Sequence, residues 1–328
     1  MKRRAVVASL AAIVAWPLSA NSQGARVYRI GYLTPGSHGH PLGKRNLDAF
    51  RHGLREFGYA EGKNLVIEYR FADFQFDRLP HLAAELVRLD VAVIVAGPTP
   101  AAVAARKATS TIPIVMINTG DPVGLGLVDS LARPGGNVTG LAFTVGTETF
   151  GKGLELLRDA VGGLRSVAIL FNPANPSHAL VLRDVQVVAR ALALELHLVE
   201  ATAPDDFDNA FGLIAVRGAD ALYVIPDVLF VTQAARIAEL AVRHRLPSLH
   251  QFKDEVEAGG LISYGHANTA PWRQAAAFVD RLLAGARAAD LPVQQPTKFE
   301  LIINLKTAKA LGLTIPPTLL ARADEVIE

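Results

Sequence analysis

From residue 27 onward the chain alternates short β-branched runs with longer stretches of helical periodicity, and it does so twice. Strands that alternate with helices must lie parallel, because a parallel neighbour needs a crossover long enough to hold a helix. Such sheets are covered on both faces, so their strands read as unbroken apolar runs. In the first half, residues 27–33 (VYRIGYL), 64–72 (NLVIEYRFA), 91–97 (VAVIVAG) and 112–117 (IPIVMI) have this character. Helices are expected over 44–58, 77–89 and 100–108, the first two from apolar residues three and four apart, such as Leu47, Phe50, Leu54 and Phe57. In the second half the expected strands are 166–171, 194–201, 219–225 and 246–251, and the helices 179–193, 205–217 and 230–245. VAVIVAGPTP and ADALYVIPD occupy matching places, each leading through a helix to an apolar residue and a proline, Ile112-Pro113 and Leu246-Pro247. GYLTP (31–35) and LFNP (170–173) match in the same way.

This is the pattern of an α/β chain with two similar Rossmann-like lobes, each a parallel sheet flanked by helices. A strand over 261–265, a helix over 271–283, an extended segment over 291–305 and a short helix over 306–311 finish the lobes. The expected division is 27–143 plus about 266–290 for the first lobe, and 144–265 plus about 291–328 for the second. Several crossings between lobes make a hinge, and a cleft opens at the carboxyl ends of the strands.

The first 22 residues differ from this body. Lys2, Arg3 and Arg4 precede an apolar run from Ala5 to Leu18, and small or polar residues follow. That order is a secretory signal peptide, and the run is short of the about 20 residues of a membrane span. The segment also carries the basic balance. The whole chain has 33 basic and 31 acidic residues; without those three, 30 face 31, a net charge of −1. A nucleic-acid partner then has no electrostatic support. The chain has no cysteine, which excludes disulfides, thiolate metal sites, a cysteine nucleophile and a lipidated cysteine.

Motifs with known chemistry fall short. Gly146 to Gly153 begins like a phosphate-binding loop but has Gly153 where a Ser or Thr should hold magnesium, and its bulky residues suit a helix start. Gly124-Leu-Gly126 lacks the third glycine of a dinucleotide fingerprint and reads as a turn entering a helix. His38 and His40 have no third ligand near them. No catalytic residue, metal site or cofactor is expected.

The informative residues stand at strand ends. Gly97 and Thr99 sit there, with Thr99 expected to cap a helix whose first residue is Pro100, so that its amides suit a carboxylate. Asn118, Thr119 and Asp121 end the next strand, and Asn172, Asn175 and Asp227 hold equivalent places in the second lobe. Asp121 or Asp227 could pair with an ammonium group. Thr34, Asn172 and Asn175 would form a polar rim, and Tyr32, Phe143, Tyr223 and Tyr264 would supply rings against a flat ligand.

Longer segments carry a resemblance: Trp-Pro-Leu (16–18), GLREFGYAEGKNLVIEYR (53–70), DRLPHLAAELVR (77–88), TIPIVM with GDPVGLGLV (111–128), LARPGGNVTG (131–140), AGGLISYG (258–265) and residues 295–328. Together they resemble bacterial ABC-transporter substrate-binding proteins of the group related to tryptophan- and tyrosine-binding components. The resemblance implies a type I periplasmic-binding-protein fold, no catalysis, and a ligand held between the lobes. The chain departs in two places: its signal has no Ala-x-Ala, and SHGHP (37–41) puts two histidines in a loop beside the cleft. The reading is a monomeric periplasmic receptor of an ABC importer. It binds a small polar or aromatic amino-acid-like ligand and delivers it to a permease in the inner membrane. A secreted α/β enzyme and a sensory ligand-binding module stay open as alternatives.

Overall fold

The computed structural model describes residues 27–143 and 147–328. The signal segment expected over 1–22 lies outside them. The first lobe contains β1 (Tyr28–Thr34), α1 (Pro41–Glu56), β2 (Leu65–Phe71), α2 (Leu79–Arg88), β3 (Val93–Ala96), α3 (Thr99–Ala108), β4 (Ile114–Thr119) and β5 (Val138–Ala142). The chain then crosses to the second lobe. There it forms α4 (Thr147–Val161), β6 (Ser166–Phe171), α5 (His178–Ala191), β7 (Glu195–Glu200), α6 (Phe207–Arg217) and β8 (Ala221–Val224). It continues with α7 (Val228–Thr232), α8 (Ala234–Arg243), β9 (Ser248–His250), α9 (Lys253–Glu257) and β10 (Ile262–Gly265). A return crossing brings α10 (Ala270–Leu283) onto the first lobe, and the last crossing leads to β11 (Glu300–Asn304), α11 (Leu305–Ala310), α12 (Pro317–Leu320) and β12 (Glu325–Ile327).

Both sheets are built by the same rule. The first runs β2-β1-β3-β4-β5, parallel throughout. The second runs β7-β6-β8-β9-β10-β11-β12 and is parallel except at β10–β11. In each, the first strand of the lobe lies between the second and the third. The winding direction therefore reverses at β1/β3 and at β6/β8, and a crevice opens beyond the carboxyl ends of those strands.

Strand alternation divides each lobe's interior into two apolar layers. On β1, Ile30 and Tyr32 point to the α1 and α10 side, and Leu33 points to the α2 and α3 side. In the second lobe, Ile169 and Tyr223 face α4 and α5, and Ala168 and Leu222 face α6 and α8. Close approaches are made at glycines. A Cβ on Gly53 of α1 would lie 2.4 Å from the carbonyl oxygen of Arg273 on α10, so the two helices touch at their backbones there.

Several expectations need correction. Helix α1 begins at Pro41, where His40 Nδ1 accepts the Leu42 N–H at 3.2 Å, and Phe57 lies past its end, exposed. The helix expected over 230–245 is two, broken at Gln233. The glycine-rich turn at 124–126 leads through a loop to β5, not into a helix. Helix α4 begins where the bulky residues of 146–153 suggested a helix start, whereas strands β5 and β12 and helices α9 and α12 had no counterpart in the sequence reading. Of the extended segment 291–305, only β11 is a strand of the second sheet. Residues 291–294 lie on the first lobe: Leu291 and Val293 are buried in its core, and Gln294 exchanges backbone hydrogen bonds with Gly140 and Ala142. The last crossing therefore follows Gln294, a few residues beyond the expected 291.

Candidate ligand-binding site

The two switch points face each other. Between them is a cavity of about 690 Å³, part of it open to solvent. The first lobe contributes Thr99 beyond β3, Asn118 and Gly120 at the end of β4, and Phe143 beyond β5. The second contributes Asn175 and His178 beyond β6, and Asp227 beyond β8. The lobes touch around it. A Cβ on Gly120 would come 3.1 Å from Ser177 Cβ, and Arg45 of α1 pairs with Asp254 of α9 at 2.9 Å.

Asp227 is the centre of the polar wall. Its side chain is fully buried. Oδ1 accepts the Leu229 N–H at 2.9 Å, which caps α7, and a longer bond from Asn172 Nδ2 at 3.4 Å. Oδ2 accepts Asn175 Nδ2 at 2.8 Å. Asn175 is itself fixed, because its Oδ1 accepts both the N–H and the hydroxyl of Ser177. The nearest titratable neighbour is His178, whose Nε2 stands 3.8 Å from Oδ2. Its Nδ1 accepts the Asn172 N–H at 2.9 Å, so the ring proton sits on Nε2, which donates to the Pro226 carbonyl at 3.2 Å. Burial pushes the imidazole below its ordinary pKa, against the opposing pull of Asp227 and the carbonyl, so the ring is neutral. Among the described residues no Lys or Arg forms an ion pair with Asp227. A buried, anchored carboxylate facing a cleft can pair with a cation that enters it.

The remaining wall is mostly apolar: Phe143, Phe150, Phe252, Trp272, Val181 and Ile225. Phe143 meets Phe252 edge-on at 5.7 Å, and both pack against His266, a hinge residue beyond β10. His266 Nε2 lies 3.3 Å from Asn118 Oδ1, and Asn118 Nδ2 donates to the Asn268 carbonyl. Burial lowers the His266 pKa to about 4, which leaves this ring neutral as well.

The strand-end residues separate into three groups. Thr99, Asn118, Phe143, Asn175 and Asp227 line the cavity, and Asn172 supports Asp227 from behind. Thr34 lines an adjoining pocket, where its hydroxyl accepts the Gly36 N–H. Gly97, Thr119, Asp121, Tyr223 and Tyr264 are placed elsewhere. Thr99 is the first residue of α3, and its hydroxyl accepts the Gly120 N–H at 2.9 Å, so it ties β4 to the helix and does not cap it. Gly97 is the close approach of β3 to β4; a Cβ there would meet the Ile117 carbonyl at 2.7 Å. Thr119 is fully buried and outside the wall. Asp121 is exposed, and its carboxylate accepts the Gly124 N–H, which holds it in the turn and away from the cavity. Tyr32 belongs to a ring cluster with Phe50, Tyr69, Phe71 and Trp272 and, like Thr34, lines the adjoining pocket. Tyr223 is buried in the second lobe's core, and Tyr264 stacks on Phe299. His40 caps α1 and His38 packs on Phe71.

The sequence reading missed His178, Phe252, Trp272, Asn46 and Asn268. Phe252 and Asn268 follow β9 and β10, so the strand-end rule extends to them. Trp272 lies in the first turn of α10 and Asn46 in the second turn of α1, where spacing alone does not tell the cleft side from the core side.

Residues 39–327 match the family model described as ABC transporter substrate binding protein. The chain belongs to that family of substrate-binding proteins. It is 27% identical over 274 residues to a tyrosine-binding protein of Clostridioides difficile strain R20291, covering 84% of this chain and 78% of the relative. Among solved structures it resembles a conserved domain protein from Vibrio cholerae, with TM-score 0.85, 28% identity, and 92% of this chain and all of the other covered. A Streptococcus pneumonia ABC domain in complex with L-Trp has the same fold, with TM-score 0.84, 24% identity and the same coverage. These neighbours share its type I periplasmic-binding-protein architecture of two α/β lobes. Among the described residues, no helix is long and apolar enough to cross a membrane.

Proposed function

We propose that this chain is a periplasmic receptor that binds an aromatic L-amino acid between its lobes and hands it to the permease of an ABC importer. The observation that carries the reading is Asp227. It is buried, held by three donors, and has no Lys or Arg paired with it among the described residues, in a cleft whose remaining wall is mostly apolar and includes four aromatic rings. An α-ammonium group supplies the missing cation, and the aromatic side chain lies among Phe143, Phe252 and Trp272. Thr99, at the amino end of α3, faces the ligand's carboxylate with its backbone N–H. The C. difficile relative named for tyrosine and the neighbour bound to L-Trp support the ligand class. The N-terminal segment directs export, and the mature chain acts as a monomer without metal, cofactor or nucleic acid.

Titration calorimetry of the mature chain against L-tyrosine, L-tryptophan and their des-amino acids tests this reading. Binding of the amino acids, with the des-amino compounds weaker by about thirtyfold or more, is the expected result. Equal affinity with and without the amine overturns the role of Asp227.

A further inference from the structure

Two polar atoms on the first-lobe wall of the cleft have no partner among the described residues. Asn46 is 8% exposed and Trp272 3% exposed, and neither Asn46 Oδ1 nor Trp272 Nε1 is hydrogen-bonded to any of them. Both side chains line the main cavity and also a second one of about 370 Å³ that continues past them towards Tyr32, Thr34 and His40. They come from different elements, α1 and α10, which are pressed together at Gly53. The packing of these two helices brings both side chains to the walls of the same two cavities.

An indole N–H can only donate, so Trp272 requires an acceptor. Asn46 Oδ1 requires a donor. A ligand hydroxyl both donates and accepts, so one placed between them would serve both. We infer that Asn46 and Trp272 form a subsite for a hydroxyl on the ligand's ring, so that the receptor selects a phenolic amino acid over its unsubstituted and indole counterparts. This rests on the reading of an aromatic amino-acid ligand given above. Phenylalanine would leave both atoms unpaired. Tryptophan could donate to Asn46 but cannot accept from Trp272. Sites that hydrogen-bond a substrate hydroxyl reject analogues without it, because the buried groups stay unsatisfied.

The test is calorimetry with L-tyrosine, L-phenylalanine and L-tryptophan on the mature protein and on Asn46→Leu and Trp272→Phe, with thermal unfolding checking that each variant folds. Wild type is expected to bind tyrosine at least about tenfold more tightly than the other two. In either variant tyrosine should lose about tenfold more affinity than phenylalanine does. Equal affinity of wild type for tyrosine and phenylalanine overturns the inference, as does a loss shared equally by both ligands in a variant that folds. Those outcomes leave the amino-acid reading intact; binding of none of the three removes both.

Discussion

His266 shows how much a single side chain contributes at the hinge. Its ring is packed between Phe143 and Phe252, and its pKa is lowered from 6.5 to about 4 by burial. The folded form thus resists a proton that the unfolded chain accepts. The stabilisation is complete above pH 6.5 and is lost as pH falls towards 4. His178 acts with the same sign. Denaturant unfolding at pH 7 and pH 4.5 should show His266→Gln losing roughly 2 to 3 kcal/mol less than wild type between the two pH values. An identical loss in both proteins would show that the ring is not held neutral by burial. The residue scale is also where the sequence was most and least legible. The strand-end rule selects Asp227, Asn175, Asn118, Thr99 and Phe143, because a parallel sheet presents only its carboxyl edge to the cleft. It fails for Tyr32, Tyr223 and Tyr264, since a strand turns alternate side chains to its two faces and these rings point into packed layers. It fails for Asp121 because a short acidic side chain finds a nearer partner in its own turn.

The element scale is set by helix contacts, and α1 against α10 is the one the site depends on. One carries Asn46 and the other Trp272, and Gly53 allows the approach. Replacing a helical glycine with alanine gains about 1 kcal/mol of helix propensity. Here the added Cβ would lie 2.4 Å from the Arg273 carbonyl oxygen and 2.9 Å from Ala276 Cβ, contacts that only backbone movement relieves. Overpacking of that kind costs about 1 to 3 kcal/mol. Gly53→Ala is therefore expected to lower stability in denaturant unfolding and to weaken ligand binding as the two helices separate. A more stable variant with unchanged affinity would contradict this packing. Most strands and long helices were legible as apolar runs and three-to-four spacing. The elements that escaped are β5, whose Thr139 and Gly140 dilute its apolar signal, and short ones such as β12 and α9 that tertiary contacts define. Residues 291–293 were expected on the second lobe because they precede its strand without a break in character; the burial of Leu291 and Val293 puts them on the first.

At the scale of the whole molecule the matching lobes bring two switch points together, and the closing surface is tight. Gly120 lies against Ser177 with no room for a large side chain. Gly120→Leu should prop the lobes apart, so that the ligand binds at least about tenfold more weakly and no longer contracts the protein in solution X-ray scattering. Wild-type contraction in that variant would mean that the lobes meet elsewhere. Arg45–Asp254 also joins the lobes, but with side chains 53% and 26% exposed it contributes about 1 kcal/mol at most. On the proposed reading, closure depends on what lies in the cleft, and there the buried carboxylate is expected to dominate. Removing one partner of a desolvated charge pair costs about 2 to 5 kcal/mol, far more than the rim contact. The most direct test is calorimetry of L-tyrosine binding to wild type and Asp227→Asn, a change that keeps the shape and removes the charge. A loss of affinity of about thirtyfold or more is the expected result. An unchanged Kd would contradict the assignment of Asp227 as the counter-ion of the ligand's ammonium group.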